Sequence, residues 1–472
     1  MPLELNKCKP SRRTRHESGH ECLQVTPKDK LSGDIRKRCM ISKRSTEGIG
    51  YSVFNLSKVR HVVATAIPRT GTTLQEQAHD ALSTIEAVIR EKFTQGAIVK
   101  QTVFMNGREE LDECRQVIRD FYGVDMPATT YVAQPLCDGK LLSIEALGIC
   151  QSSGDVEIER HSENLVITRC KGITWAYCGH ITPNTDATGV YERSLNAFQR
   201  MQDVLGRGGF KYDQVFRTWL YLGDIVGPEG DTQRYKELNR ARADFYKDMR
   251  FIADKVPADI KHLVYPASTG IGTNCTHVSE VCATQGCLEG CCSKSTDKHF
   301  IHCPAYADIV MSCIAVSSDD KDLVLVPLEN PGQTAAFDYG VGYSPRSPKF
   351  SRAMAVTTKG YALTFISGTA SITDSESRFL EDIEGQTRQT LDNMEALVTP
   401  ENFERHGMSG HGGTLKDFAL VRVYIKKQED CAKVRAIVES RLGELPTVYA
   451  VADVCRPELL VEMEGIVVTE KR

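Results

Sequence analysis

No stretch of the 472 residues approaches the roughly 18 consecutive apolar positions needed to span a membrane, and the first residues lack the apolar segment of a secretory signal. Membrane insertion and export are therefore not expected, and the expected compartment is the cytoplasm. Also missing are a glycine-rich phosphate-binding loop and a nucleophile elbow. Nucleotide chemistry and serine-nucleophile hydrolysis lose their usual signatures. Neither sign of charge dominates: 58 Lys and Arg oppose 62 Asp and Glu, with 41 % hydrophobic and 25 % charged residues. Such values are ordinary for a globular protein and imply no nucleic-acid partner for the chain as a whole.

What charge asymmetry there is lies at the start. Residues 1–45 hold 12 Lys and Arg against 5 Asp and Glu, without apolar periodicity, so residues 1–48 read as a basic disordered tail. The rest is too long for one core and calls for two to four domains. Seventeen cysteines in a large chain without an export signal are expected to stay reduced, most of them as small buried apolar residues. Cys275, His277, Cys282, Cys287, Cys291, Cys292, His299, His302 and Cys303 crowd one segment. Their spacing fits no strong zinc motif, so the segment reads as a cysteine-rich insertion with structural zinc as the alternative, and no metal is assigned.

An internal repeat organises the remainder. Three segments share the order strand, helix, strand, helix, Pro-led strand, closing strand. The first runs from HVVATAI through helices near 75–93 and 109–121 to KLLSIEALGI. The second runs from ITWAYCGHI through helices near 191–205 and 232–250 to DIVMSCIAV. The third runs from YALTFISGTAS through IEGQTRQTLDNMEALV and DCAKVRAIVESRL to LLVEMEGIVV. Alternating β-branched strands between helices predict an α+β fold, a mixed sheet with helices on one face, in three tandem modules at 49–152, 153–330 and 331–472. Leu391, Met394, Leu397 and Val398 recur at helical spacing and are assigned to the core.

The third segment, with F-I-S-G-T-A at 365–370, Q-T-R-Q-T-L-D-N-M at 386–394 and V-E-M-E-G-I-V-V at 461–468, resembles the RidA/YjgF (chorismate-mutase-like) module over its whole length. Y-P-A-S-T-G-I-G at 265–272, P-L-E-N-P at 327–331, Y-S-P-R-S-P-K-F-S-R-A at 343–353 and A-D-V-C-R-P-E-L-L-V-E-M-E-G at 452–465 resemble the chorismatase family in particular, over about 155–472. The first module looks like an extra, degenerate RidA copy. RidA imine deaminases hold the substrate carboxylate with an arginine two residues after the proline of the strand corresponding to 446–454, where this chain has Val448 in the third module and Thr129 in the first. Imine deamination is therefore not expected. With Ser143 where the third module has Glu462, the first module reads as structural.

The resemblance implies cleavage of the enol ether of chorismate, a dianion, to pyruvate, without cofactor. That chemistry requires a proton for the terminal methylene carbon and cations for two carboxylates. Glu462 and Glu464 stand two apart on one strand, so both leave the same face, and repulsion with desolvation raises the pKa of at least one. Glu462 matches the family's proton donor, and Glu464 is placed beside it against substrate. Arg346, Arg352 and Arg242 are the candidates for the carboxylates, since a guanidinium pairs bidentately. Tyr339 matches a family tyrosine near the enolpyruvyl group. Gly368, with Ala370 beyond it, and Cys455 resemble the members that form 3-hydroxybenzoate; members forming a dihydroxycyclohexadienoate tend to carry alanine at both the Gly368 and the Cys455 positions. In this reading glycine leaves room for the ring and the thiol relays a proton. Two other readings stay open, a RidA-like small-molecule-binding protein without turnover and an enzyme acting on another enol ether or imino acid. RidA modules assemble as trimers, so three in one chain imply a pseudo-trimeric monomer with its productive cleft between the second and third modules.

Overall fold

The computed structural model describes residues 41–56, 59–93, 95–107, 110–150, 156–184, 187–258, 260, 262–273, 309–340 and 346–472. Most of the expected basic tail and all of the cysteine-rich insertion at 275–303 lie outside the described residues.

Three six-stranded sheets repeat one strand order. The first contains β1 (Ile41–Thr46), β2 (Ile49–Leu56), β3 (Val59–Ala66), β4 (Gly96–Met105), β5 (Ala128–Ala133) and β6 (Leu142–Cys150), arranged β1-β2-β3-β6-β4-β5. The second contains β7 (Val156–Ser162), β8 (Leu165–Cys170), β9 (Ile173–Ile181), β10 (Val215–Gly223), β11 (Ala267–Thr273) and β12 (Ile309–Ser318), arranged β7-β8-β9-β12-β10-β11. The third contains β13 (Val324–Leu328), β14 (Ala353–Thr357), β15 (Tyr361–Ala370), β16 (Phe418–Ile425), β17 (Thr447–Val451) and β18 (Val461–Glu470), arranged β13-β14-β15-β18-β16-β17. In each sheet the fourth and fifth strands run parallel and the other neighbours antiparallel.

A parallel pair needs a crossover, and each module supplies a helix there. The helices are α1 (Leu74–Lys92) and α2 (Leu111–Tyr122), α3 (Gly189–Arg207) and α4 (Arg234–Phe245), then α5 (Ile383–Val398), the short α6 (Pro400–Arg405) and α7 (Cys431–Leu442). Thr73 and Glu76 form a capping box at the start of α1, and Asp382 accepts from Gly385 N at the start of α5, which fixes where each helix begins. The stripe Leu391, Met394, Leu397 and Val398 is buried against the third sheet.

Each sheet turns its other face inward. Phe54 and Val63 of the first sheet, Trp219 and Ile314 of the second, and Phe365 and Leu420 of the third belong to one shared apolar core. The inner strands β10 and β16 are accordingly buried along their whole length. The first sheet starts at Ile41 and the third at Val324, ahead of residues 49 and 331 where the repeat suggested module starts. In the edge strands β1 and β7 only the first residue is buried, and half-buried residues alternate with exposed polar ones after it, so their sequences resemble linkers.

The cysteines need one correction. Cys137, after β5, and Cys431, at the start of α7, form a disulfide that closes 294 residues and joins the first module to the third. Cys114, Cys178 and Cys313 are buried free thiols.

Candidate active site

Glu462 and Glu464 do leave β18 on one face, but they enter different surroundings. Opposite them on β16 stand Tyr424 and Arg422. Glu464 lies on the inner axis where the three sheets meet. Its Oε1 accepts from Arg422 Nη1 at 2.9 Å and from the Tyr424 hydroxyl at 3.0 Å, and Trp219 Nε1 reaches both oxygens at 2.9 and 3.0 Å. Arg217 and the Thr269 hydroxyl donate to Oε2. Burial works to raise the Glu464 pKa, yet the two guanidinium groups and these donors outweigh it and hold it below the ordinary carboxylate value. Glu464 is a fixed anion that does not line the cleft described next, contrary to the expected substrate contact.

Glu462 lines a cleft between the second and third modules. The second module contributes α4 and β11, the third contributes β15, β18 and the segments before β14 and after β17. The two modules are stitched at this point: Ala267 bridges Ser351, and Ser367 Oγ accepts from Ser268 N at 2.9 Å while donating to Ser351 O at 2.6 Å. A bulge in β15 between Ile366 and Thr369 allows that turn of the chain.

Glu462 is 4 % exposed. Burial and then repulsion from Glu464 push its pKa up to about 8, against the pull of Arg217 and Arg352. The carboxyl group is therefore protonated at neutral pH. Around it stand Lys236, Arg242, Arg352 and Arg456, with no second acid among the described lining residues. Arg352 donates to the Tyr339 hydroxyl at 2.6 Å and to Thr334 O at 3.0 Å, while Arg242 donates to Ser268 Oγ at 3.2 Å and to Asn239 Oδ1. Arg242 Nε, Arg352 Nε and Asn239 Nδ2 are buried without a hydrogen-bond partner. Buried donors left unsatisfied cost free energy, and a bound anion would satisfy them.

Seven of the expected site residues thus share one cleft: Arg242, Tyr339, Arg352, Gly368, Ala370, Cys455 and Glu462. Arg346 is not among them. It is exposed, two residues ahead of Pro348, and lies outside the cleft. The sequence reading missed Lys236, Asn239, Ser268 and Arg456. Ser268 had a signal: it stands two residues after Pro266, as Thr129 and Val448 stand two residues after Pro127 and Pro446.

Comparison with known proteins bears on this geometry. The family model described as Chorismatase FkbO/Hyg5-like, N-terminal, matches residues 152–280. A 3-hydroxybenzoate synthase of Streptomyces hygroscopicus is 30 % identical over 322 residues, covering 66 % of this chain and 79 % of that protein. The chain belongs to the chorismatase family. A chorismatase of Streptomyces rapamycinicus is 30 % identical over 269 residues, 56 % of this chain and 66 % of that one. A crystal structure of a chorismatase shares the fold, with a TM-score of 0.58 at 20 % identity over 86 % of this chain and 98 % of that one.

Two positions gain a physical account in this chorismatase-family chain. A methyl group at Gly368 would lie 2.1 Å from Glu462 Oε1 and 3.2 Å from Thr269 Cγ2, so glycine makes room for the acid itself. Gly368→Ala is expected to fold, because the side chain that must yield is a flexible carboxylate end, and to lower turnover about 10²-fold through misplacement of the acid. Steady-state kinetics beside a thermal melt check this. Cys455 is pushed up to about 12, by burial first and by Glu462 second. It stays a thiol and cannot act as a thiolate base.

Proposed function

We propose that this chain cleaves the enol ether of chorismate, with Glu462 as the acid, to pyruvate and 3-hydroxybenzoate. The observation that carries the proposal is a neutral carboxyl group buried in a cleft with four cationic side chains and, among the described lining residues, no other acid. A dianion fits that balance, and a carboxyl that holds its proton at neutral pH is what an enol ether carbon needs. Glu462 protonates the methylene carbon, and the resulting oxocarbenium carbon bonds either to the oxygen of the neighbouring ring hydroxyl, whose proton returns to Glu462, or to water. In the first case the bond from the ring to that oxygen breaks with loss of the adjacent ring proton, which makes the ring aromatic, and cleavage of the ether bond then releases 3-hydroxybenzoate while that oxygen leaves as the pyruvate carbonyl; in the second, collapse of the hemiketal breaks the ether bond. Pyruvate and 3-hydroxybenzoic acid together contain the atoms of chorismic acid, so that route consumes no net water; the dihydroxycyclohexadienoate route consumes one. Arg242 and Arg352 are assigned to the carboxylates, with Lys236 and Arg456 beside them. Tyr339, held by Arg352, faces the enolpyruvyl group. Gly368 and Ala370 leave space along β15. The working unit is a single chain, with a sedimentation mass near 52.4 kDa.

The test is purified protein with chorismate, pyruvate read through lactate dehydrogenase, and chromatography of the aromatic product. Turnover is expected to be level below pH 8 and to fall as pH rises through about 8, where Glu462 gives up its proton. Binding of chorismate without pyruvate would favour the non-catalytic reading and overturn this one.

A further inference from the structure

Among the described residues the first module contributes none to the lining of the cleft, but one of its carboxylates reaches the acid indirectly. Glu145 occupies in β6 the place that Glu464 occupies in β18: Glu145 stands opposite Thr102, Glu464 opposite Arg422. It is 8 % exposed. Arg422 Nε and Nη2 donate to its two oxygens at 2.5 and 2.6 Å, while Nη1 of the same guanidinium donates to Glu464 at 2.9 Å and to the Tyr221 hydroxyl at 3.0 Å. One planar cation is therefore shared between carboxylates of two modules. Glu464 cannot answer by rotating, because Arg217, Trp219, Thr269 and Tyr424 also hold it. Its charge bears directly on Glu462, two residues away on the same face.

Resting on the function proposed above, we infer that Glu145 is a positioning residue for this reaction: by holding one side of Arg422 it limits how far that cation neutralises Glu464, and so keeps the proton on Glu462. The module that reads from sequence as structural thereby takes part in setting the acid. Other charges face the same groups. Glu462 is approached by Arg217 from β10, Arg352 from the segment before β14, Tyr235, Lys236 and Arg242 from α4, and Cys455 and Arg456 after β17. Lys100 on β4, 4.5 Å from the Trp219 ring, lies near both Glu145 and Glu464. None of these changes in the variants below, so the difference between them isolates the Glu145–Arg422 pair.

The two changes have opposite signs. Glu145→Gln frees Arg422 to pair fully with Glu464, which weakens the repulsion on Glu462 and lets it ionise at lower pH. Glu145→Gln with Arg422→Gln removes the shared cation instead, so Glu464 repels more strongly and Glu462 ionises at higher pH. In the double variant Glu464 keeps Arg217 as its ionic partner and Lys100 keeps Glu464 nearby, which guards against loss of folding. The measurement is an infrared titration of the full chain, with the Glu462 carboxyl band assigned by its loss in Glu462→Gln. Expected are shifts of about half a pH unit or more, downward in the single and upward in the double variant, with the alkaline limb of pyruvate release moving alike. Midpoints that stay at the wild-type value, or move together in one direction, overturn the inference and leave the pair structural. Opposite shifts in a protein that never releases pyruvate support the positioning role while refuting the proposed reaction.

Discussion

Glu462→Gln is expected to lower pyruvate release from chorismate about 10²- to 10⁴-fold at saturating substrate, with affinity little changed. Glutamine keeps the size and hydrogen-bonding capacity of a protonated glutamic acid but has no proton to give to carbon. The cleft already favours the neutral form of Glu462, so the amide should sit in it without rearrangement. Stability gives an independent check. The pKa of Glu462 rises from 4.5 in an ordinary setting to about 8 in the fold, so between those values the folded chain holds a proton that the unfolded chain has released. Its contribution is therefore fully present below pH 4.5 and is lost as pH rises through about 8, a change on the order of a few kcal/mol. Glu462→Gln should be the more stable protein above pH 8, and urea unfolding at pH 5 and pH 9 compares the two. Near wild-type turnover in Glu462→Gln would place the acid elsewhere.

The second large effect concerns the cations. Arg352→Met and Arg242→Met are each expected to weaken chorismate binding by roughly 10²-fold, as removal of one partner from a buried charge pair does. Both guanidinium groups are at most 3 % exposed and each keeps an unpaired Nε. Calorimetry in the Glu462→Gln background, where substrate is not consumed, measures affinity directly. Arg346→Ala serves as the contrast: exposed and outside the cleft, it should bind chorismate within about twofold of the parent. A large loss in Arg346→Ala, with none in Arg352→Met, would mean that the loop closes over the substrate and carries the carboxylate contact.

Much of the architecture was legible because it repeats. Helices α1, α3 and α5 begin and end within two residues of the spans that apolar periodicity predicts, since each buries one stripe against a sheet. The leading strands of each sheet were less legible. β1 reads I-S-K-R-S-T and β7 reads V-E-I-E-R-H-S, and edge strands with one solvated face carry too few apolar residues to stand out from a linker. The disulfide between Cys137 and Cys431 had no local signal, because its partners meet through the packing of the first module on the third.

The sequence by itself determined the three-module α+β plan, the pairing of Glu462 with Glu464 on one face, and seven of the residues that line the cleft. Periodicity and register are local properties, and a motif carries its own neighbours. Tertiary structure alone decided how those residues divide the work. Glu462 and Glu464 share a strand and a face, yet one keeps its proton and the other is an anion with five donors, because Arg217 and Trp219 arrive from the second module and Arg422 from the neighbouring strand. Arg346 and Arg352 lie six residues apart in one motif, yet only Arg352 turns inward. Charge states and cleft membership depend on what packs from elsewhere in the chain, and electrostatic work between groups more than two hundred residues apart leaves no mark on the sequence around either.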